Sequence, residues 1–128
     1  MVGCPIDIKK KTGENQHFCQ VLFTGSFSQL AVVSLGPGED IGIETHLETD
    51  LIIRVEAGAG KAILDGQEYE LGGGSVIIIP ACMEHNVINT SATEALKLCI
   101  VYSPPEYPES TFYQTKVDAE AYENKKYG

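Results

Sequence analysis

From Cys19 to Tyr102 the chain is a succession of short β-branched and aliphatic runs separated by glycine, and no stretch repeats its apolar residues at the helical interval. Candidate strands are 19–24, 28–35, 41–46, 51–57, 61–65, 68–71, 75–80, 85–90 and 96–102. Between them lie Gly36-Pro37-Gly38, Gly58-Ala59-Gly60, Asp65-Gly66 and Gly72-Gly73-Gly74. The Asp-Gly pair signals a type I′ hairpin, because both central residues of that turn need positive φ. Short strands joined by tight turns run antiparallel, so the pattern predicts an all-β barrel or sandwich.

Size and charge narrow the function. A chain of 128 residues encloses one barrel core, and with it one site. Eighteen acidic against nine basic side chains give a formal charge of −9, which repels phosphate backbones and anionic headgroups. Nucleic acid and membrane surfaces are therefore not expected partners. No apolar run approaches the roughly 20 residues needed to span a bilayer. The start, 1–11, is polar and basic without a signal-peptide core, so the expected location is cytoplasmic. Cysteines at 4, 19, 82 and 99 show no Cys-x-x-Cys spacing, and free thiols in a packing role are expected, Cys82 included.

The organisation expected is an N-terminal arm over 1–17, which adds an edge strand or a loop across the barrel, a barrel over 18–103, and a tail over 104–128. Within the tail, 118–126 has acidic residues early and lysines late, as a short helix favours.

Of three histidines, His46 and His85 stand in the strand-rich core, whereas His17 reads as a surface or edge residue. Glu44 and His46 are two apart, so on an extended segment they share a face. Arg54 and Glu56 are expected to face water, which turns Leu51, Ile53 and Val55 inward and makes 47–50 a turn. His85, Val87 and Asn89 share a face of the later strand. Pairing that strand near 41–46 in a small barrel brings His85 to Glu44 and His46. Tyr102 is expected to line the same pocket. A carboxylate inside a barrel needs a partner, because an isolated buried one costs several kcal/mol.

The segment "GEDIGIETHLETDLIIRVEAG" resembles the first cupin signature, with Gly38 and Gly58 at its ends, and "GSVIIIPACMEHNVIN" resembles the second, with Gly74, Pro80, His85 and Asn89 in register. The flanks resemble the small single-domain cupins of the mannose-6-phosphate isomerase-like group. The resemblance implies a cupin double-stranded β-helix, a jelly-roll-like barrel with a short C-terminal helix, assembled as a homodimer. Three places depart from the pattern: Glu44 stands at the first histidine place, Leu51 at the glutamate place, and Cys82 at a glycine place. The ligand set it implies is then Glu44, His46 and His85, two imidazoles and one carboxylate, as in catalytic zinc and facial-triad iron sites. The cofactor implied is a divalent transition metal: zinc, manganese, iron or nickel.

Two functions remain open at this level. One is an isomerase, decarboxylase or oxygenase type of enzyme using the metal as Lewis acid on a sugar or a keto or hydroxy acid, with its catalytic residues unassigned. The other is a non-catalytic module that binds or senses a small molecule in a degenerate metal site, with or without metal. No lysine or arginine cluster marks a phosphate site in the central chain.

Overall fold

The computed structural model describes residues 3–127, and side chains within 3–121. Its elements are α1 (Ile8–Glu14), β1 (Cys19–Thr24), β2 (Gln29–Leu35), β3 (Asp50–Ala57), β4 (Ala59–Leu64), β5 (Gln67–Gly72), β6 (Val76–Ile79), β7 (His85–Asn89), β8 (Leu96–Ser103), β9 (Phe112–Tyr113) and α2 (Lys116–Tyr127). The larger sheet has the order β6-β3-β8-β2-β1-β9, and the smaller is β5-β4-β7. Every pairing is antiparallel. Among the described residues no helix is long and apolar enough to cross a membrane.

Side-chain alternation builds one core from both sheets. Leu51, Ile53 and Val55 of β3 point inward with Leu96, Leu98, Ile100 and Tyr102 of β8, and meet Ala62 of β4 and Val87 of β7. Burial of each large aliphatic side chain stabilises by about 1.5–3 kcal/mol, so this interior carries the fold. The hairpin between β4 and β5 turns at Asp65 (φ 47) and Gly66 (φ 84), both left-handed as a type I′ turn requires. On β3, Arg54 is exposed as expected, but the Glu56 side chain is largely covered, its Oε1 accepting from Arg54 Nε at 2.6 Å.

Three elements differ from the sequence pattern. Segment 41–46 is not a strand: it meets the smaller sheet through isolated bridges, Asp40 with Ile88 and Glu44 with His85, and through Gly42 N, which donates to Asn86 Oδ1 at 3.1 Å. Gly42, at φ 95, breaks the extended backbone between those two bridges. Within 1–17, the expected edge strand or loop includes helix α1, because Asp7 caps it through an Oδ1 that accepts from Lys10 N at 3.2 Å and three consecutive lysines propagate it. The edge of β1 is covered instead by β9, which the apolar pattern did not mark.

Cys82 occupies the place where the resembling pattern has glycine, and its φ is 73. An L-residue held there costs about 1–2 kcal/mol. Its backbone N–H donates to His46 O at 2.7 Å, and its Sγ–H reaches Leu47 O at 3.5 Å, so the strained loop clasps the turn that carries His46. Cys82→Gly keeps the amide bond and removes the strain. Urea unfolding should show the variant more stable than wild type by up to about 1 kcal/mol, the gain reduced by glycine's larger unfolded-state entropy.

Candidate metal centre

His85 opens β7, and the inward alternation of that strand buries it to 1% exposure. Opposite it, Glu44 N donates to His85 O and His85 N donates to Glu44 O, each at 2.9 Å. This reciprocal pair fixes the two backbones side by side without a full strand, and His46, two residues on, joins the same wall. One ligand atom from each of Glu44, His46 and His85 lies within 4.8 Å of the other two. The two imidazole rings stack with centroids 5.4 Å apart and planes 30° apart. The structure therefore brings together all three residues that the sequence pattern singled out.

The hydrogen bonds orient both rings toward a common point. Nδ1 of His85 lies 3.1 Å from the Met83 carbonyl, which places the proton on Nδ1 and leaves the Nε2 lone pair free. Nδ1 of His46 lies 3.5 Å from Oε1 of Glu106. Nε2 of His85 and Nε2 of His46 are buried and have no hydrogen-bond partner among the described residues. Glu44 Oε2 lies 2.8 Å from Nε2 of His46, an ion pair when His46 is protonated. Two orphaned buried nitrogens facing a carboxylate match the donor set of zinc or iron, and each imidazole has an oxygen partner behind it that fixes its orientation.

The two histidines differ in charge. Burial pushes His85 below its ordinary range, so it is neutral near neutral pH. Burial also disfavours the His46 imidazolium, but Glu106 and then Glu44 outweigh it and raise the group from 6.5 to about 9. Glu106 and Glu44 thus favour the imidazolium at His46 alone. Cys19, which lines a cavity with Glu44, is pushed by burial and then by that carboxylate to about 12, an unreactive thiol.

Two cavities flank the triad. An inner one of about 30 Å³ is bounded by Glu44, Leu51, Tyr102 and Tyr107 among others. An outer one of about 570 Å³ is lined by His46, Glu48, Thr49 and Glu106 among others. Leu51 is 2% exposed and lines the inner cavity, as strand parity indicates. Tyr102 lines it too, and burial, then Tyr107, hold its phenol well above the usual range.

Glu106, Tyr107 and Gln29 belong to the site although nothing in the spacing of motifs marks the first two. Gln29, fully buried, is their anchor: its Oε1 accepts from the backbone N–H of Glu106 at 3.1 Å and of Tyr107 at 3.0 Å, and its Nε2 donates to Tyr107 O at 2.8 Å. A signal for Gln29 did exist, since it shares the inward parity of Ala31, Val33 and Leu35 and is the one polar member of that set. His17 stands elsewhere, packed edge-on against Phe112 with ring centroids 4.5 Å apart. Asn89 is a structural tie, its Nδ2 donating to the carbonyls of Leu35, Gly36 and Glu94.

Comparison with known proteins fits this geometry. The family described as "Cupin domain" matches residues 31–102. The chain is similar to the uncharacterized protein YrkC of Bacillus subtilis (strain 168), with 39% identity over 125 residues that cover 93% of this chain and 67% of that protein. It is also similar to the uncharacterized protein L612 of Acanthamoeba polyphaga mimivirus, with 36% identity covering 80% of this chain and 66% of that protein. The chain thus spans about two thirds of the length of these two relatives. A crystal structure of BH2720 from Bacillus halodurans superposes with a TM-score of 0.91 and 34% identity, covering 94% of this chain and 95% of that one.

A cation held at Nε2 of His46 would compete with a proton there. Because the folded-state pKa of His46 is raised, its contribution to metal-free stability is complete below about 6.5 and is lost as pH rises through about 9. Metal affinity should run the other way, rising about tenfold per pH unit from near neutrality and levelling above about pH 9, with about one proton released per ion near pH 7. Calorimetry of zinc binding in buffers of different ionisation enthalpy measures both quantities.

Proposed function

The chain belongs to the cupin family, and on that premise we propose that it is a metal-binding cupin that acts on a small molecule. The observation that carries this reading is the gathering of one ligand atom each from Glu44, His46 and His85 within 4.8 Å of one another, with Nε2 of His85 buried and without a hydrogen-bond partner among the described residues. Those three residues would hold a divalent transition ion: zinc, manganese, iron or nickel. Such an ion supplies Lewis-acid polarisation of an oxygen on a sugar or a keto or hydroxy acid, in an isomerase, decarboxylase or oxygenase type of reaction.

The chain's own residues supply the rest. Glu106 and the Met83 carbonyl orient the two imidazoles from behind, so their Nε2 atoms stay aimed inward. Tyr102 keeps its phenolic proton and lines the inner cavity beside Tyr107. Leu51, Phe18 and Ile100 keep that cavity apolar, which strengthens each electrostatic contact made inside it. A homodimer agrees with the exposed apolar stripe of Ile52, Val76 and Ile78 on β3 and β6.

One observation favours a second reading, a non-catalytic binding or sensing module. As an imidazolium near two carboxylates, His46 is already charge-compensated without any ion.

Elemental analysis of protein purified without chelator, and melting curves with zinc, manganese, iron, nickel or cobalt, test the metal reading. An ion present at about 100 times its Kd should add about 2.7 kcal/mol of stability. His46→Ala combined with His85→Ala should abolish the thermal shift and still fold, because the aliphatic core is untouched. No shift with any of these ions would defeat the metal reading.

Leu51 gives a sharper test. With a metal in place, Leu51→Gln puts an oxygen beside the ligands, so metal affinity rises and metal-loaded stability is retained. Without one, the same change buries an unpaired amide and costs about 1–3 kcal/mol whether or not metal is added. Metal titration of both proteins, with melting curves, separates these outcomes.

A further inference from the structure

We propose that residues 108–116 form a strap that closes the β1 side of the inner cavity, with the ion pair between Lys116 and Asp40 as its latch. The inference rests on the reading of that cavity as part of a small-molecule site, and adds how the site is reached.

The inner cavity is too small for a sugar or a keto acid. At about 30 Å³ it has room for a water or two, whereas sites for small molecules run to about 300 Å³ and more. Any larger occupant needs one wall to move. Phe18 and Cys19, where β1 begins, form part of that wall with Tyr107. The strap covers this stretch of β1: Phe18 N donates to Gln114 O at 3.1 Å, Val21 N donates to Thr111 O at 2.9 Å, and Cys19 pairs with Tyr113. The Tyr113 ring stands edge-on to Tyr107, centroids 6.0 Å apart, so it backs the ring that bounds the cavity.

The two ends of the strap are held differently from its middle. At the near end, Gln29 fixes the backbone of Tyr107, and the turn that follows, closed by Thr111 N donating to Pro108 O, holds Ser110 at φ 62. Release of that turn relieves a left-handed serine, so the hinge lies here. At the far end, Lys116, the first residue of α2, pairs with Asp40 Oδ1, and Asp40 Oδ2 accepts from Asn86 Nδ2 at 2.8 Å, which ties the latch to β7. Between the ends, the two residues of β9 pair with β1, against the five pairs that β1 makes with β2. So short an edge pairing opens more readily than the core ladders, and the strap can lift while the barrel stays folded.

Cys19 is a natural reporter, because it lines the inner cavity beneath the strap. The full chain is treated with iodoacetamide, and alkylation of each cysteine is followed by peptide mass. Cys4 and Cys82, both exposed, react first, and Cys99, buried in the middle of β8, reports opening of the barrel itself. Loss of a partly covered ion pair should raise the labelling rate of Cys19 about two- to fivefold in Lys116→Met, and equally in Asp40→Asn, which keeps an oxygen for Asn86. Labelling of Cys99 should not change. Higher salt should speed Cys19 in wild type and leave Cys19 in Lys116→Met unaltered. Equal Cys19 rates in wild type and both variants overturn the inference, as does a rise shared equally by Cys19 and Cys99, the sign of global unfolding. The readout needs no metal, so a wild type that takes up no ion defeats the metal reading while the labelling still decides the strap.

Discussion

Two imidazole nitrogens without hydrogen-bond partners, buried against a carboxylate inside an aliphatic barrel, set the terms for the structure around them. Such groups cost several kcal/mol when desolvated alone, so the fold has to compensate them or bind something that does. The compensation is local and layered. A reciprocal backbone pair holds Glu44 beside His85, the Met83 carbonyl takes the Nδ1 proton of His85, and Glu106 stands behind His46. Gln29 in turn is buried with its amide satisfied by the backbone of Glu106 and Tyr107 and by Thr24 Oγ1. Each polar group in this chain of contacts is tolerated because the next one is present.

What the sequence made legible was whatever depends on short-range periodicity. The inward set of β3 follows from strand parity, and the turn at Asp65-Gly66 from the demand for two positive φ values, and both are observed. The gathering of Glu44, His46 and His85 was readable even though 41–46 is not a strand, because a single bridge at Glu44 is enough to set the register. The illegible parts depend on distant partners. Gln29 and Tyr107 are 78 residues apart, and neither position states the contact by itself. Helix α1 was hidden because its capping by Asp7 is a polar, local signal in a stretch read for its apolar residues. Strand β9 has only two residues, too few to show alternation.

The departures from the cupin pattern have separable consequences. Cys82 keeps the left-handed backbone that glycine would adopt freely, so the loop geometry survives at the expense of strain while the amide still holds the His46 carbonyl. Leu51 leaves the inward direction of β3 intact but supplies a hydrocarbon where the pattern has an oxygen. The first departure alters stability and spares the site, whereas the second alters the donor set and spares the fold.

With one donor fewer, the charge on the remaining groups matters more. Without an ion, His46 is an imidazolium set between Glu44 and Glu106, one positive charge facing two negative ones. A divalent cation in place of that proton would add one further unit of positive charge to the cluster. Glu106 stands as a counter-ion of His46 in the state the structure describes. That carboxylate comes from a loop outside the two signature segments, and a fully buried glutamine holds the loop's backbone in place.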